Sequence, residues 1–151
     1  MTERRYAQWV AETVRVRLKG QPWQTPRIST PGDLARWAMP LYETLSGDQE
    51  HFTIVALNAR NVIQGYRVVS SGTLSTSLVG MREVFAFLIE MRAAAGAAIH
   101  NHPSGDCEPS TPDRDITCRL QAAGELLGIP IVDHVVLGGG DWVSFAARGL
   151  L

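Results

Sequence analysis

The chain has 151 residues, 45% apolar and 19% charged, and 14 Lys+Arg against 15 Asp+Glu leave a net charge of −1. That length supports one core burying about 70% of the unfolded chain's surface, leaves no room for a second large domain, and carries no bulk positive field for nucleic acid. Two cysteines, Cys107 and Cys118, are too few for a disulfide scaffold; the N-terminus MTERRYAQWV lacks a signal-peptide apolar run, and the weakly apolar stretch Ala93 to Ile99 is too short to span a bilayer. The membrane, fibrous and secreted disulfide-rich classes are therefore excluded, and a cytoplasmic protein is expected.

Tyr6, Trp9, Val10, Thr13, Val14 and Leu18 recur at helical spacing, predicting an amphipathic helix over residues 4–19 that Gly20 stops. Its basic face carries Arg4, Arg5, Arg15, Arg17 and Lys19, read as a solvated patch. Pro22 and Pro26 mark a linker or extended arm over 21–29. Thr30 caps a second helix, with Pro31 at its first position and Asp33 in its first turn. Leu34, Trp37, Ala38, Leu41 and Leu45 form its apolar face, and Pro40 should kink or shorten it. HFTIVALN and VIQGYRVVS, joined by NARN, predict a β-hairpin, followed by the connection SSGTLSTS. A helix over 82–94 presents Val84, Phe87, Leu88 and Met91. GAAIHNH is a short buried strand running into the loop PSGDCEPS. A helix over 111–127 has the stripe Ile116, Leu120, Ala123 and Leu127, and Gly128 ends it. IPIVDHVVLG and WVSFA are the last strands. The order ααββαβαββ predicts an α/β (α+β) single domain, a mixed sheet flanked by helices, with residues 1–29 as an N-terminal helix and linker and 30–151 as the domain proper.

The chemistry concentrates in HNHPSGDCEPSTPD, residues 100–113. His100 and His102 are two apart at a strand end, so their imidazoles project from one face, a natural start for a divalent transition-metal site. Ser110 and Asp113 open the next helix, which can return a carboxylate over the strand end. Two His and one carboxylate leave a fourth tetrahedral position for water, the layout of a catalytic zinc site, although such a set also holds iron. Ser110 and Asp113 alone resemble a capping box, which does not account for the paired histidines. The string His100-Asn101-His102 lacks the ββα spacing of an HNH nuclease.

H-x-H, seven residues, then S-x-x-D is similar to the signature of the JAMM (JAB1/MPN) metalloprotease superfamily. The wording HNHPSGD, the upstream LNARN and SGTL, the REVF helix and the downstream AGELLGIPIVDH resemble the bacterial RadC-like proteins over roughly residues 30–151. The resemblance implies an MPN-type mixed sheet and a zinc ion held by His100, His102 and Asp113. It also implies an upstream Glu as general acid/base, with Glu50 preferred and Glu83 the other candidate, and Ser110 as hydrogen-bond donor to an oxyanion. The implied function is a zinc-dependent peptidase or isopeptidase acting on a protein or peptide; the alternative is a non-catalytic or DNA-transaction-associated binding module. RadC-like chains commonly carry a helix-hairpin-helix region, and the 30 or so residues preceding the shared part lack its paired glycine hairpins, which weakens nucleic acid as a partner. Val79-Gly80-Met81 stands where relatives often have His-Pro. Cys107 is read as a loop thiol without a role, the alternative being an adventitious ligand or oxidation site; Asp106 is read as a turn former and Asp133-His134 as a structural sheet hydrogen bond, each with a contact behind the metal ligands as the alternative. Trp37, Phe85, Phe87 and Leu120 are read as core.

Overall fold

A computed structural model describes residues 26–72 and 79–151. The helix expected over 4–19, and most of the linker and of the connection after the hairpin, lie outside the described residues. The elements in chain order are α1 (Pro31–Tyr42), β1 (Glu50–Leu57), β2 (Ile63–Gly72), α2 (Met81–Glu90), β3 (Ala95–Asn101), α3 (Thr111–Leu127), β4 (Ile131–Gly138) and β5 (Asp141–Ser144). The strands form one mixed sheet in the order β2-β1-β3-β4-β5, with β3 and β4 parallel and the other neighbours antiparallel. This is the expected α/β architecture.

Both faces of the central strands are covered, which is why β1 and β3 read as nearly unbroken apolar runs. One face packs Phe52, Ile54 and Ala98 against Val84, Phe87 and Leu88 of α2 and Ile116 and Leu120 of α3. The other packs Val55, Leu57, Ala97, Ile99 and Val135 against Leu34, Ala35 and Ala38 of α1. The Tyr42 hydroxyl pins the end of α1 across the sheet, lying 3.0 Å from the His51 carbonyl, 2.9 Å from Thr53 Oγ1 and 2.9 Å from the Ile99 carbonyl. Residues 26–29 run as the expected extended arm along the start of β2, with Ile28 N–H donating to the Asn61 carbonyl at 2.8 Å.

Three local expectations need correction. Helix α1 continues through Pro40 and ends at Tyr42, so Leu45 lies beyond it, and Trp37 is half-buried, edge-on to Tyr66 at 5.4 Å. Helix α2 stops at Glu90 rather than 94: Arg92 takes a left-handed conformation (φ 50°) and Ala93 N–H bonds the Leu88 carbonyl, closing the helix. Leu127 is 47% exposed. The last turn of α3 instead faces the returning chain with Gly124, where an added Cβ would lie 2.6 Å from the Ile129 carbonyl oxygen.

Candidate metal centre

His100 sits at the end of β3, fully buried, and His102 lies just beyond, where its N–H bonds the Leu137 carbonyl of β4 at 2.8 Å. The chain then turns back at Gly105 (φ 85°), whose N–H bonds the His102 carbonyl at 3.0 Å. This loop lies directly on the β4–β5 turn, backbone to backbone: a Cβ at Gly138 would come within 2.8 Å of the Gly105 carbonyl oxygen. The loop places the Asp106 carbonyl 2.6 Å from His102 Nδ1. The Asp106 side chain accepts from Glu108 N–H at 3.0 Å, so it is the expected turn former, while its carbonyl orients the histidine.

Helix α3 starts with the expected capping box: Asp113 N–H donates to Ser110 Oγ at 3.2 Å and Ser110 N–H to Asp113 Oδ2 at 2.7 Å. The same carboxylate, 2% exposed, faces both histidines. Its Oδ1 is 3.0 Å from His100 Nε2, its Oδ2 is 3.1 Å from His102 Nε2, and the two Nε2 atoms are 3.0 Å apart. Capping and ligand geometry are thus two uses of one residue. A carbonyl only accepts, so His102 carries its hydrogen on Nδ1 and offers an Nε2 lone pair to the cluster. Two ring nitrogens and a carboxylate within 4.8 Å of one another form a set that can hold a metal ion. The donor set suits a borderline divalent transition ion, and the carbonyl behind His102 is the outer partner that metal-binding imidazoles ordinarily have.

Electrostatics agree with this packing. Burial alone would raise the Asp113 carboxyl, but Nε2 protons on His100 and His102, which a bound ion would replace, hold it well below the usual carboxylate range. The hydrogen bond to Asp113 raises His102 against the opposing effect of burial, and the Asp106 carbonyl and the Glu50 charge add to the rise. Cys107 is half-buried in the loop and is not among the converging donors.

Glu50 is the first residue of β1. The antiparallel register pairs Phe52 with His100, and Glu50, two residues before Phe52 on β1, is near enough to His102 for its charge to act on that imidazole. Asn101, between the two histidines, bonds the backbone on either side of it. The Glu83 carboxylate folds back over the start of its own helix, so that a Cβ at Gly80 would collide with Glu83 Oε2. The structure brings His100, His102, Asp113 and Ser110 together, with the Glu50 charge acting on His102.

Sequence reasoning preferred a structural reading of Asp133-His134 over a contact behind the metal ligands, and for His134 the structure shows the latter. Asp133 is structural as expected, accepting from Ser144 Oγ, His134 N–H and Ala146 N–H. His134 instead points to the opposite face, where its Nε2 lies 2.8 Å from His100 Nδ1 and its Nδ1 2.7 Å from Thr117 Oγ1. The available signal was a lone histidine on the apolar face of a strand parallel to β3.

A profile of the RadC-like JAB domain matches residues 28–150. UPF0758 proteins are similar over most of the chain. One from Desulfitobacterium hafniense is 39% identical over 140 residues, covering 93% of this chain and 61% of that protein. One from Clostridium kluyveri is 41% identical over 125 residues, 83% of this chain and 54% of that protein. One from Symbiobacterium thermophilum is 42% identical over 136 residues, 90% of this chain and 57% of that protein. The chain therefore spans between half and two-thirds of the length of these curated relatives. With the profile matched across nearly the whole described fold, the chain belongs to the RadC-like JAB domain family.

Proposed function

We propose that this domain is a zinc-dependent hydrolase of the JAMM type that cleaves peptide or isopeptide bonds in the cytoplasm. The observation that carries the reading is the convergence of His100 Nε2, His102 Nε2 and the Asp113 carboxylate, with the Glu50 charge close enough to act on His102. A divalent ion held there would polarise a scissile carbonyl and bring a water's pKa to about 7. Glu50 takes the attacking water's proton on its carboxylate and returns it to the leaving nitrogen. Ser110 Oγ already accepts from Asp113 N–H, so its hydroxyl hydrogen is free to donate to the carbonyl oxygen as negative charge grows there.

Two clefts of about 410 Å³ each flank this centre, one lined by Tyr42, Glu43, His102 and Asp141, the other by Asp48, Glu50 and Ser104. Neither is lined by Lys or Arg among the described residues. Carboxylates on both sides repel a phosphate backbone, which favours a protein or peptide in the clefts over DNA. Among the described residues no helix is long and apolar enough to cross a membrane.

The test is a screen of peptide and isopeptide substrates with zinc-loaded protein, run beside Glu50→Gln and Glu83→Gln. Cleavage should fall by about 10²–10⁴-fold in Glu50→Gln, with zinc retained, and stay near wild type in Glu83→Gln. The reverse pattern would overturn the assignment of the base.

A further inference from the structure

We propose that His134, anchored by Thr117, is a positioning residue of the metal centre: it fixes the His100 ring with its hydrogen on Nδ1 and its Nε2 lone pair toward the ion. The proposal rests on the metal reading above and goes beyond the three ligands.

The argument is an inventory of hydrogens. Thr117 Oγ1 lies 2.7 Å from the Asp113 backbone carbonyl. A carbonyl only accepts, so the single hydroxyl hydrogen is committed to it. Thr117 Oγ1 therefore acts as acceptor toward His134 Nδ1 at 2.7 Å, and Nδ1 carries the hydrogen. His134 is fully buried between Phe145 and Phe52, with no carboxylate among its ring's hydrogen-bond partners, a setting that holds a neutral imidazole with one ring hydrogen. Its Nε2 is then a lone pair 2.8 Å from His100 Nδ1, which must donate. His100 is left with an Nε2 lone pair facing the Asp113 carboxylate and His102.

The rings are held in this orientation by aromatic walls. Phe145 stacks on His134 at 4.7 Å between centroids, Phe52 meets its edge at 5.5 Å, and Phe52 lies parallel to His100 at 6.1 Å. The chain of contacts begins and ends on Asp113, whose carbonyl accepts from Thr117 and whose carboxylate lies 3.0 Å from His100 Nε2, where an ion would sit between them. Metal-binding imidazoles usually donate their second N–H to a carboxylate, a carbonyl or water; here His102 uses a carbonyl and His100 a neutral imidazole. Asp113 is consequently the sole anion among the three donors and their two outer partners.

The experiment uses the full chain labelled with ¹⁵N. Long-range ¹H–¹⁵N spectra of the zinc-loaded protein read the tautomer of each imidazole, and competition titration reads zinc affinity for wild type, Thr117→Val, Thr117→Ser, His134→Gln and His134→Phe. The expected result is His134 as the Nδ1–H tautomer, zinc affinity reduced about 10–100-fold in Thr117→Val, and recovery in Thr117→Ser. His134→Gln keeps an acceptor for His100 and should bind more tightly than His134→Phe. An Nε2–H tautomer at His134 in wild type overturns the proposal whatever the variants do, and so does wild-type zinc affinity in Thr117→Val. Wild-type protein that takes up no zinc overturns the metal reading and this inference together; zinc uptake with the wrong tautomer overturns only the latter.

Discussion

Asn101 brackets Glu50. Its Oδ1 accepts from the His51 N–H at 2.8 Å and its Nδ2 donates to the Gln49 carbonyl at 2.9 Å, so one side chain from the strand of the histidines holds the backbone on both sides of the carboxylate. The spacing between Glu50 and the His100–His102 pair is therefore set within β1 and β3 themselves, with no loop intervening.

Asn101→Ala should leave zinc content unchanged, because Asn101 contributes no atom to the donor cluster. A base displaced by about 1 Å can cost about 10²-fold in rate, so the expected effect is a fall in kcat of that order at normal metal occupancy. Rate measurements on metal-quantified protein check this, and an unchanged kcat would remove Asn101 from the account.

The loop that aims the Asp106 carbonyl at His102 rests on the β4–β5 turn with no side chain between them. A Cβ at Gly138 would sit 2.8 Å from the Gly105 carbonyl oxygen and 3.0 Å from the Cys107 nitrogen, both backbone atoms that cannot swing aside. Gly138→Ala should cost about 1–3 kcal/mol in stability and weaken zinc binding as the carbonyl moves off His102. Gly140 lies in open space at φ 86°, and Gly140→Asn, a residue that tolerates left-handed backbone, should bind zinc as the wild type does. Thermal denaturation and zinc titration of the two variants make the comparison; equal behaviour would contradict it.

Asp133 gathers four hydrogen bonds from three donors, Ser144 Oγ, His134 N–H and Ala146 N–H, tying β4 to the segment after β5. Burial raises its carboxyl above the ordinary value, against those hydrogen bonds. The folded chain therefore binds this proton more tightly than the unfolded one. The resulting stability is present below the unfolded pKa of about 3.9 and is lost as pH rises through the folded value. Asp133→Asn keeps an acceptor oxygen for the two backbone N–H groups and removes the buried charge, so its Tm relative to wild type should be higher at pH 8 than at pH 4. Asp133→Ala leaves the buried Ser144 hydroxyl and His134 N–H without their acceptor and should cost about 2 kcal/mol or more. A Tm difference for Asp133→Asn that does not change between the two pH values would show that the buried charge carries no such linkage.

The reach of sequence reasoning follows the range of the interactions. His100, His102, Ser110 and Asp113 lie within fourteen residues, and their strand–turn–helix geometry follows from local rules: alternation along β3, a turn at Pro103 to Gly105, and a capping box. Their convergence was legible for that reason. Alternating and unbroken apolar runs likewise gave the mixed sheet and its flanking helices. His134 and Thr117 were not legible as part of the centre, because they meet His100 only through the parallel pairing of β3 with β4 and the crossing of α3 over that pair. The early end of α2 depends on Arg92 adopting a positive φ, which no residue type at that position announces. Leu127 follows the helical period of its stripe, but it is the helix's last residue, where the chain turns away at Gly128 and leaves it half exposed.

The claim that His100, His102 and Asp113 hold one divalent ion is tested most directly by elemental analysis of the purified, untagged protein beside His102→Ala. The account predicts about one zinc per chain in the wild type and loss of that zinc in the variant, with the fold retained. A wild-type protein that carries no metal and takes up none when zinc is added would contradict it.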